Sequence, residues 1–363
     1  MVDRAGNGIK LLQKRLFPVQ TSRHTRGISL LWVTGEYFDG FRAAELAARG
    51  RLDASAQPDP SLRLDWFRRT WEQSPPGRRP LIARARAGAA EAWLFLARTR
   101  PGRAVALTSE HSHRFAPIFV GDPDIPLKRA LLRAVARRLK LFGLSRVTLD
   151  SLLPEDAALV RQAFGRAGWV VSDRAGPTNF RLEVGGRHFE DFWDGAPARL
   201  HEQVAAGSRH LHVEISDLLT PDLWEEAELL GGTDPFLREL AQDATLDRTL
   251  RLGVARMGDA PVAAQIWTFD QGCAFAHWRA EDRAAKEFFP STELTASMLR
   301  YLINVDHAEE VNLGNGSEAE LADWADERRV LRRLELLNPS APSAWAPAIG
   351  ARLAGLVRRA PLD

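Results

Sequence analysis

Apolar and polar positions along the chain follow two different periods. Residues 93–97 (WLFLA) and 104–107 (AVAL) are short apolar runs on either side of Thr99-Arg100-Pro101-Gly102, which predicts a hairpin. Over residues 125–142 the period becomes helical. Leu127, Leu131, Val135, Leu139 and Phe142 share one face, while Lys128, Arg129, Arg133, Arg137, Arg138 and Lys140 fall mostly elsewhere. Residues 146–152 read as a strand. Pro154-Glu155-Asp156 then opens a helix with proline and acids in the first turn, where the helix dipole favours them. Gly168 ends that helix and residues 179–184 form another strand.

Gly185-Gly186 marks a boundary, after which the same alternation returns. Helices are predicted over 189–203 and 221–230. Strands are predicted over 250–256, 262–269 and 273–279, joined by Met257-Gly258-Asp259 and Asp270-Gln271-Gly272 into a meander. A helix over 291–305, a strand over 310–313, a short helix over 318–326 and a strand over 330–337 follow. Each half thus joins an antiparallel meander to strand–helix–strand units. That order predicts an α+β chain made by duplication of one unit, with two mixed sheets meeting near residues 180–190.

Composition narrows the function classes. The chain has 363 residues, enough for two domains. Lys plus Arg is 49 against 47 for Asp plus Glu, a net charge of +2, so wholesale wrapping by nucleic acid is not expected. The single cysteine, Cys273, excludes an intrachain disulfide and a cysteine-based zinc cluster. His111-Ser112-His113 reads as a loop feature, and no metal is expected. The tryptophans, 11 in all against 2 tyrosines, read first as core. The apolar runs are too short to span a membrane. Residues 1–26 are basic and carry no apolar signal core, which points to a cytoplasmic protein. Residues 345–359 place Trp345, Ile349, Leu353 and Leu356 at helical spacing, with Arg352, Arg358 and Arg359 opposite. Such a helix either docks on its own domain or lies on anionic lipid, a peripheral contact at the inner membrane face.

One ordered set of residues carries a resemblance. In the second half it runs Gly253-Val254-Ala255, Ala263-Ala264-Gln265, His277, Pro290 with Thr292, Gly314 with Gly316, and Asp323-Trp324. In the first half it runs Pro117-Ile118-Phe119, Leu149 to Pro154, and Gly168-Trp169, followed by Phe192-Trp193-Asp194. In this order the residues resemble the FemAB-like, double-GNAT N-acyltransferases, in the branch labelled cellulose-biosynthesis-protein-like. The resemblance implies tandem duplication of a GNAT-like mixed-sheet fold. It divides the chain into a basic extension (1–27), an N-terminal GNAT-like domain (28–185), a C-terminal one (186–340) and an amphipathic tail (341–363). It also implies an acyl thioester donor, acyl-CoA or acyl carrier protein, as co-substrate, with no permanently bound cofactor. The partner substrate would be an amine that attacks the thioester directly; a long-chain amine such as a sphingoid base is one expected acceptor.

Amine attack on a thioester needs a base for the ammonium proton, N–H donors for the developing oxyanion, and a helix N-terminus for the donor's phosphate. On the resemblance, residues 273–279 are the splayed strand and His277 is the base, with Asp323 as the second catalytic candidate. An imidazole with a pKa of about 6.5 suits that role; read from the residues alone, His277 is equally a satisfied core histidine. Phe289, Pro290, Ser291 and Thr292 are the expected phosphate cradle, with Ser291 as the helix N-cap and Glu293 working against an anion. Trp278, Asn312, Asn315, Trp324 and Trp193 are the expected acceptor-side residues. The chain departs from the family pattern at Pro290-Ser291 (usually Pro-Gly), Glu320-Leu321 (usually Tyr-Lys), Asn312 (usually aspartate) and residues 200–207, which are nearly without charge. These departures frame a rival reading, a non-catalytic double-GNAT scaffold subunit. A third reading, FemAB-type aminoacyl transfer from tRNA, would bring a stronger basic field than +2.

Overall fold

Apolar runs bounded by tight turns pair into a single sheet of 14 strands, and the amphipathic segments pack on it as helices. The computed structural model describes residues 16–19, 31–231 and 234–341. The elements begin with β1 (Leu16–Val19), β2 (Leu31–Phe38), α1 (Phe41–Ala48) and α2 (Leu64–Glu72). They continue with β3 (Arg79–Ala87), β4 (Ala90–Arg100), β5 (Arg103–Ala106), β6 (Ile118–Val120), α3 (Ile125–Leu141), β7 (Arg146–Leu152), α4 (Pro154–Arg166) and β8 (Val170–Glu183). Next come α5 (Phe189–Asp194), α6 (Ala198–Gly207), β9 (His212–Ser216), α7 (Pro221–Gly231) and α8 (Pro235–Leu246). The chain ends with β10 (Leu250–Met257), β11 (Ala260–Asp270), β12 (Cys273–Glu281), α9 (Pro290–Asn304), β13 (Glu310–Asn315), α10 (Glu318–Leu321) and β14 (Glu327–Leu337).

The duplication is visible in this order. The run β2, α1, α2, β3, β4, β5, α3, β7, α4, β8 recurs as β9, α7, α8, β10, β11, β12, α9, β13, α10, β14. The sheet order, β1-β2-β3-β4-β5-β7-β14-β8-β13-β12-β11-β10-β9, reads as one unit followed by its mirror order. The centre is exchanged. β14 lies between β7 and β8, and β8 lies between β14 and β13, all antiparallel. The two separate sheets expected from the sequence are therefore one continuous sheet. The physical reason is edge satisfaction: by pairing with the other unit, each unit's last strand leaves no open hydrogen-bonding edge at the junction.

Other differences are local. The helix expected over 189–203 is two helices, because Gly195-Ala196-Pro197 interrupts it. The one expected over 318–326 is the single turn of α10 followed by a 3-10 turn at Ala322–Trp324. The segment 345–359 lies outside the described residues, as does the basic extension apart from β1. Among the described residues no helix is long and apolar enough to cross a membrane.

Each half has its own core, the first around Phe67, Trp93, Phe95 and Phe115, the second around Trp267, Leu294, Met298 and Leu299. A further cluster crosses between them. Trp66 of α2 is fully buried against second-half residues, edge-on to Phe236 at 4.9 Å. This contact anchors the first half's loops beside β12.

Candidate active site

β12 and β13 run parallel only over Cys273–Phe275 and Glu310–Asn312, then part. Two local features open the wedge. On β12 the register against β11 jumps between Ala276 and Trp278, so His277 is the extra residue of a β-bulge. On β13, Gly314 has φ +89°, and a Cβ there would stand 3.3 Å from the Ala276 carbonyl.

The wedge receives a loop from the first half. His113 Nε2 donates to Ala276 O at 2.9 Å, and Asn315 Nδ2 donates to Ser112 O at 3.1 Å. His111 Nδ1 lies 3.3 Å from His277 O, and its Nε2 lies 3.0 Å from Asp234 Oδ2. The loop is held from behind by Trp66 Nε1, which donates to Ser112 Oγ at 3.0 Å, and by Ser61 Oγ, which accepts from His113 N at 3.0 Å. Asn179 Nδ2 donates to Asn312 Oδ1 (2.9 Å) and Asn315 Oδ1 (3.1 Å), so both asparagines read from the sequence sit in one network. In the first half the matching gap between β5 and β7 is closed by the chain itself, with Phe115 N donating to Ser151 O at 2.8 Å. In the second-half wedge a cavity of about 190 Å³ remains, lined by Glu110, His113, His277, Trp278, Arg279 and Asn315 among others.

His277 differs electrostatically from the sequence expectation. It is buried, its Nε2 lies 2.8 Å from Thr268 Oγ1, and its Nδ1 has no partner. Burial first, then the neighbouring His113 and His111, hold it well below the ordinary imidazole range. It is neutral at pH 7, not a group poised near neutrality. Burial lowers His113 as well.

The expected phosphate cradle lies one step along β12. The N-cap of α9 is Phe289, in the left-handed region at φ 52°, with Pro290 at the first helical position and no side-chain cap. Ser291 is therefore not the N-cap. It sits in the first turn, where its carbonyl accepts from Gln265 Nε2 (3.2 Å) and Thr295 Oγ1 (2.8 Å). Gln265 is fully buried and also accepts from Trp267 Nε1 at 2.9 Å. Pro290 has no N–H, so the first-turn donors pointing out of the helix are those of Ser291 and Thr292. Both residues line a cleft of about 430 Å³, together with Phe289, the cations Arg279 and Lys286, the carboxylates of Glu281 and Asp323, and Trp324. Glu293 does not oppose an anion there. It is turned under Gly207 and accepts from Ser297 Oγ at 3.3 Å, and burial pushes its pKa up.

Of the remaining sequence candidates, Pro290 is buried in the turn and Asp323 is ion-paired with Arg199. Trp193 stacks behind Trp324 at 6.2 Å and rests on His201, so it supports the cleft wall without lining it. Sequence reasoning missed Arg279, Lys286, Arg199, Asn179 and the placement of His113. Lys286, four residues before Pro290, was the signal available for the cleft. Arg279 lines both cleft and wedge cavity, and its Nη2 donates to Leu313 O. A larger cavity, about 810 Å³, lies at the other end of β12 and β13 around Cys273. Its Arg181 is already paired with Glu310 and Glu327, and it shares no lining residue with the cleft or the wedge.

Residues 183–324 match the profile of the acetyltransferase (GNAT) domain. The chain is similar in structure to FemX (TM-score 0.54, 11% identity, 78% of this chain and 93% of that one). It is also similar to a tandem GNAT protein from the clavulanic acid biosynthesis pathway (0.50, 14%, 84% and 99%). A third likeness is to the C-terminal domain of a putative lysylphosphatidylglycerol synthetase from Agrobacterium fabrum (0.50, 15%, 73% and 85%). No curated protein matches the chain in sequence. The parted strands β12 and β13 and the start of α9 fall within residues 183–324, the stretch that matches the GNAT domain profile, and the chain as a whole has a tandem-GNAT, FemAB-like fold.

Proposed function

We propose that the protein is an N-acyltransferase that moves an acyl group from a phosphopantetheine thioester to an amine. The observation that carries this reading is the cleft at the start of α9, lined by Ser291 and Thr292 of the first helical turn and by Arg279 and Lys286, with Glu281 and the Arg199-paired Asp323 also in its wall, beside the parted strands. A helix start with cations around it suits a phosphate diester or monoester. Acyl-CoA and acyl carrier protein present the same arm, so the cleft is assigned to that arm's phosphate. The arm then runs toward the wedge, where strand pairing of β12 with β13 ends at Phe275. Backbone N–H groups of β12 beyond that point are the ones assigned to the developing oxyanion. The wedge cavity is largely polar where it meets Glu110, Ser112, His113 and Asn315. It is assigned to the amino end of the acceptor, and a long-chain amine such as a sphingoid base would have to leave its chain outside.

Isothermal calorimetry with CoA, and with 4′-phosphopantetheine, tests the donor site. Arg279→Ala and Lys286→Ala are each expected to weaken CoA by about tenfold, the loss of one charged contact. Amide exchange at Ser291 and Thr292 should slow on CoA binding. Unchanged exchange with no heat of binding at millimolar CoA would overturn the reading. A second reading, a non-catalytic binding subunit, is favoured by one observation: the loop carrying His111 and His113 already occupies part of the wedge. Tight CoA binding with no transfer from acetyl-CoA to any primary amine in a panel would decide for it.

A further inference from the structure

We propose that Glu110, His111 and Asp234 bind a divalent transition-metal ion, which clips the wedge loop of the first half to the start of α8 in the second. Ion binding neither needs nor excludes acyl transfer. One ligand atom from each of the three side chains lies within 4.8 Å of the other two. The two histidines of the loop do not act as a pair here. His113 turns its Nε2 to Ala276 O, while His111 meets Asp234, 123 positions further along the chain.

The hydrogen bonds of His111 select the ligand. Its Nδ1 lies 3.3 Å from His277 O, which can only accept, so the ring carries its proton on Nδ1. In the neutral ring Nε2 is then a bare lone pair, and it lies 3.0 Å from Asp234 Oδ2. Two acceptors at that distance need a positive centre beside them. A backbone carbonyl holding the far N–H of an imidazole is also how metal-binding histidines are oriented. Phe236 stacks on the ring at 5.2 Å and fixes its plane. Asp234 is positioned as firmly. Its Oδ1 accepts from Leu237 N at 2.9 Å as the N-cap of α8, which leaves Oδ2 for the ion.

Charge and access favour a metal over a proton. Two carboxylates and a neutral imidazole sum to −2, which one divalent ion cancels and one proton does not. A proton shared by His111 and Asp234 would leave the Glu110 carboxylate crowding the pair. The His111 side chain is 8% exposed and that of Asp234 42%, so the nitrogen is sheltered and the carboxylate side is open to an entering ion. With bonds of about 2.0–2.2 Å, neighbouring ligand atoms on a tetrahedral ion stand roughly 3.3–3.5 Å apart. The exposed Glu110 side chain has the freedom to close to that spacing. One imidazole with two carboxylates suits zinc and its first-row neighbours better than magnesium. Three protein ligands leave a fourth position for water or for a donor atom from the wedge cavity, which Glu110 and His111 also line.

The test titrates zinc chloride by calorimetry into the untagged full chain stripped with EDTA, with 15N-histidine spectra recorded in parallel. One zinc per chain is expected to bind, with the His111 Nε2 resonance moving and Nδ1 keeping its proton. Three variants each remove one ligand. Glu110→Gln changes an exposed side chain, Asp234→Asn keeps a helix cap, and His111→Asn keeps a donor for His277 O. Each should weaken zinc by at least about tenfold and reduce the rise in melting temperature that zinc gives the parent. Melting without zinc checks that each variant folds, and Glu110→Gln decides the matter if the other two do not. Unaltered zinc affinity in Glu110→Gln would overturn the proposal. So would a His111 that holds protons on both nitrogens in saturating zinc, since an imidazolium–carboxylate pair then fills the gap. Displacement of zinc by a tenfold excess of magnesium chloride would overturn the assignment to a transition ion. CoA is titrated into the same zinc-free chain. CoA binding without zinc binding removes this inference alone, and zinc binding without CoA binding removes the donor reading alone.

Discussion

His113 and His277 show what burial does to a single side chain. Both are held neutral in the folded state, while the unfolded chain binds protons on them below a pH of about 6.5. The unfolded state therefore binds more protons as the pH falls, and stability is lost below that point. It is fully present above it. Each histidine adds a slope of at most about 1.4 kcal/mol per pH unit. Asp156 works the other way. Burial pushes it up to about 6, so it favours the fold in acid and loses that contribution as the pH rises toward 6. Subtracting variant from parent isolates the histidine: His113→Asn should flatten the fall in urea stability between pH 6.5 and 5, and parallel curves would mean that His113 charges freely in the native state. Gln265 is a separate case. It is fully buried, donates to Ser291 O and Thr295 Oγ1, and accepts from Trp267. Gln265→Ala should cost about 2–4 kcal/mol, from a small cavity plus orphaned polar groups, and should weaken CoA because the first turn of α9 loses its tie. An affinity equal to the parent's in a destabilised variant would separate the tie from the cleft.

At the scale of elements, α6 presses on the start of α9. A Cβ on Gly207 would stand 3.0 Å from both Glu293 Cβ and Phe288 O. Gly207→Ala is expected to destabilise by about 1–3 kcal/mol through overpacking, despite alanine's better helix propensity. A melting temperature at or above the parent's would show that the two helices slide apart freely. The elements also differ in how legible they were. The α3, β7, β10 to β12 and α9 segments could be read because their periodicity is clean and their turns carry glycine or proline. β3 (RPLIARARA) could not, because Arg84 sits inside, paired with Glu91, and breaks the apolar pattern. β9 is half exposed and short, and its residues alternate weakly. For the site, Pro290 and Thr292 led to the α9 cleft. His113 did not lead to the wedge, since its partner Ala276 is 163 residues away and no local pattern encodes that meeting.

For the whole molecule, the exchanged centre of the sheet binds the two units into one cooperative body. β8 is hydrogen-bonded on both sides to strands from beyond Gly186. A protease site introduced at Gly185-Gly186 should therefore give a nicked protein that stays associated and melts in one calorimetric transition. Two resolved transitions, or fragments that part on a sizing column, would mean the exchange contributes little. Residues 28–185 and 186–340 expressed apart should each fail to reach a stable monomer, since each leaves a central strand with a bare edge. The same exchange imposes a timetable on synthesis. β7 pairs with β5 on one side and takes its other partner from β14, whose last residue is Leu337, so the sheet of the first unit cannot close until Leu337 has left the ribosome. A nascent chain some 200 residues long carries β7 and β8 without β14 or β13 to cover them, a window in which pairing between neighbouring chains competes with folding.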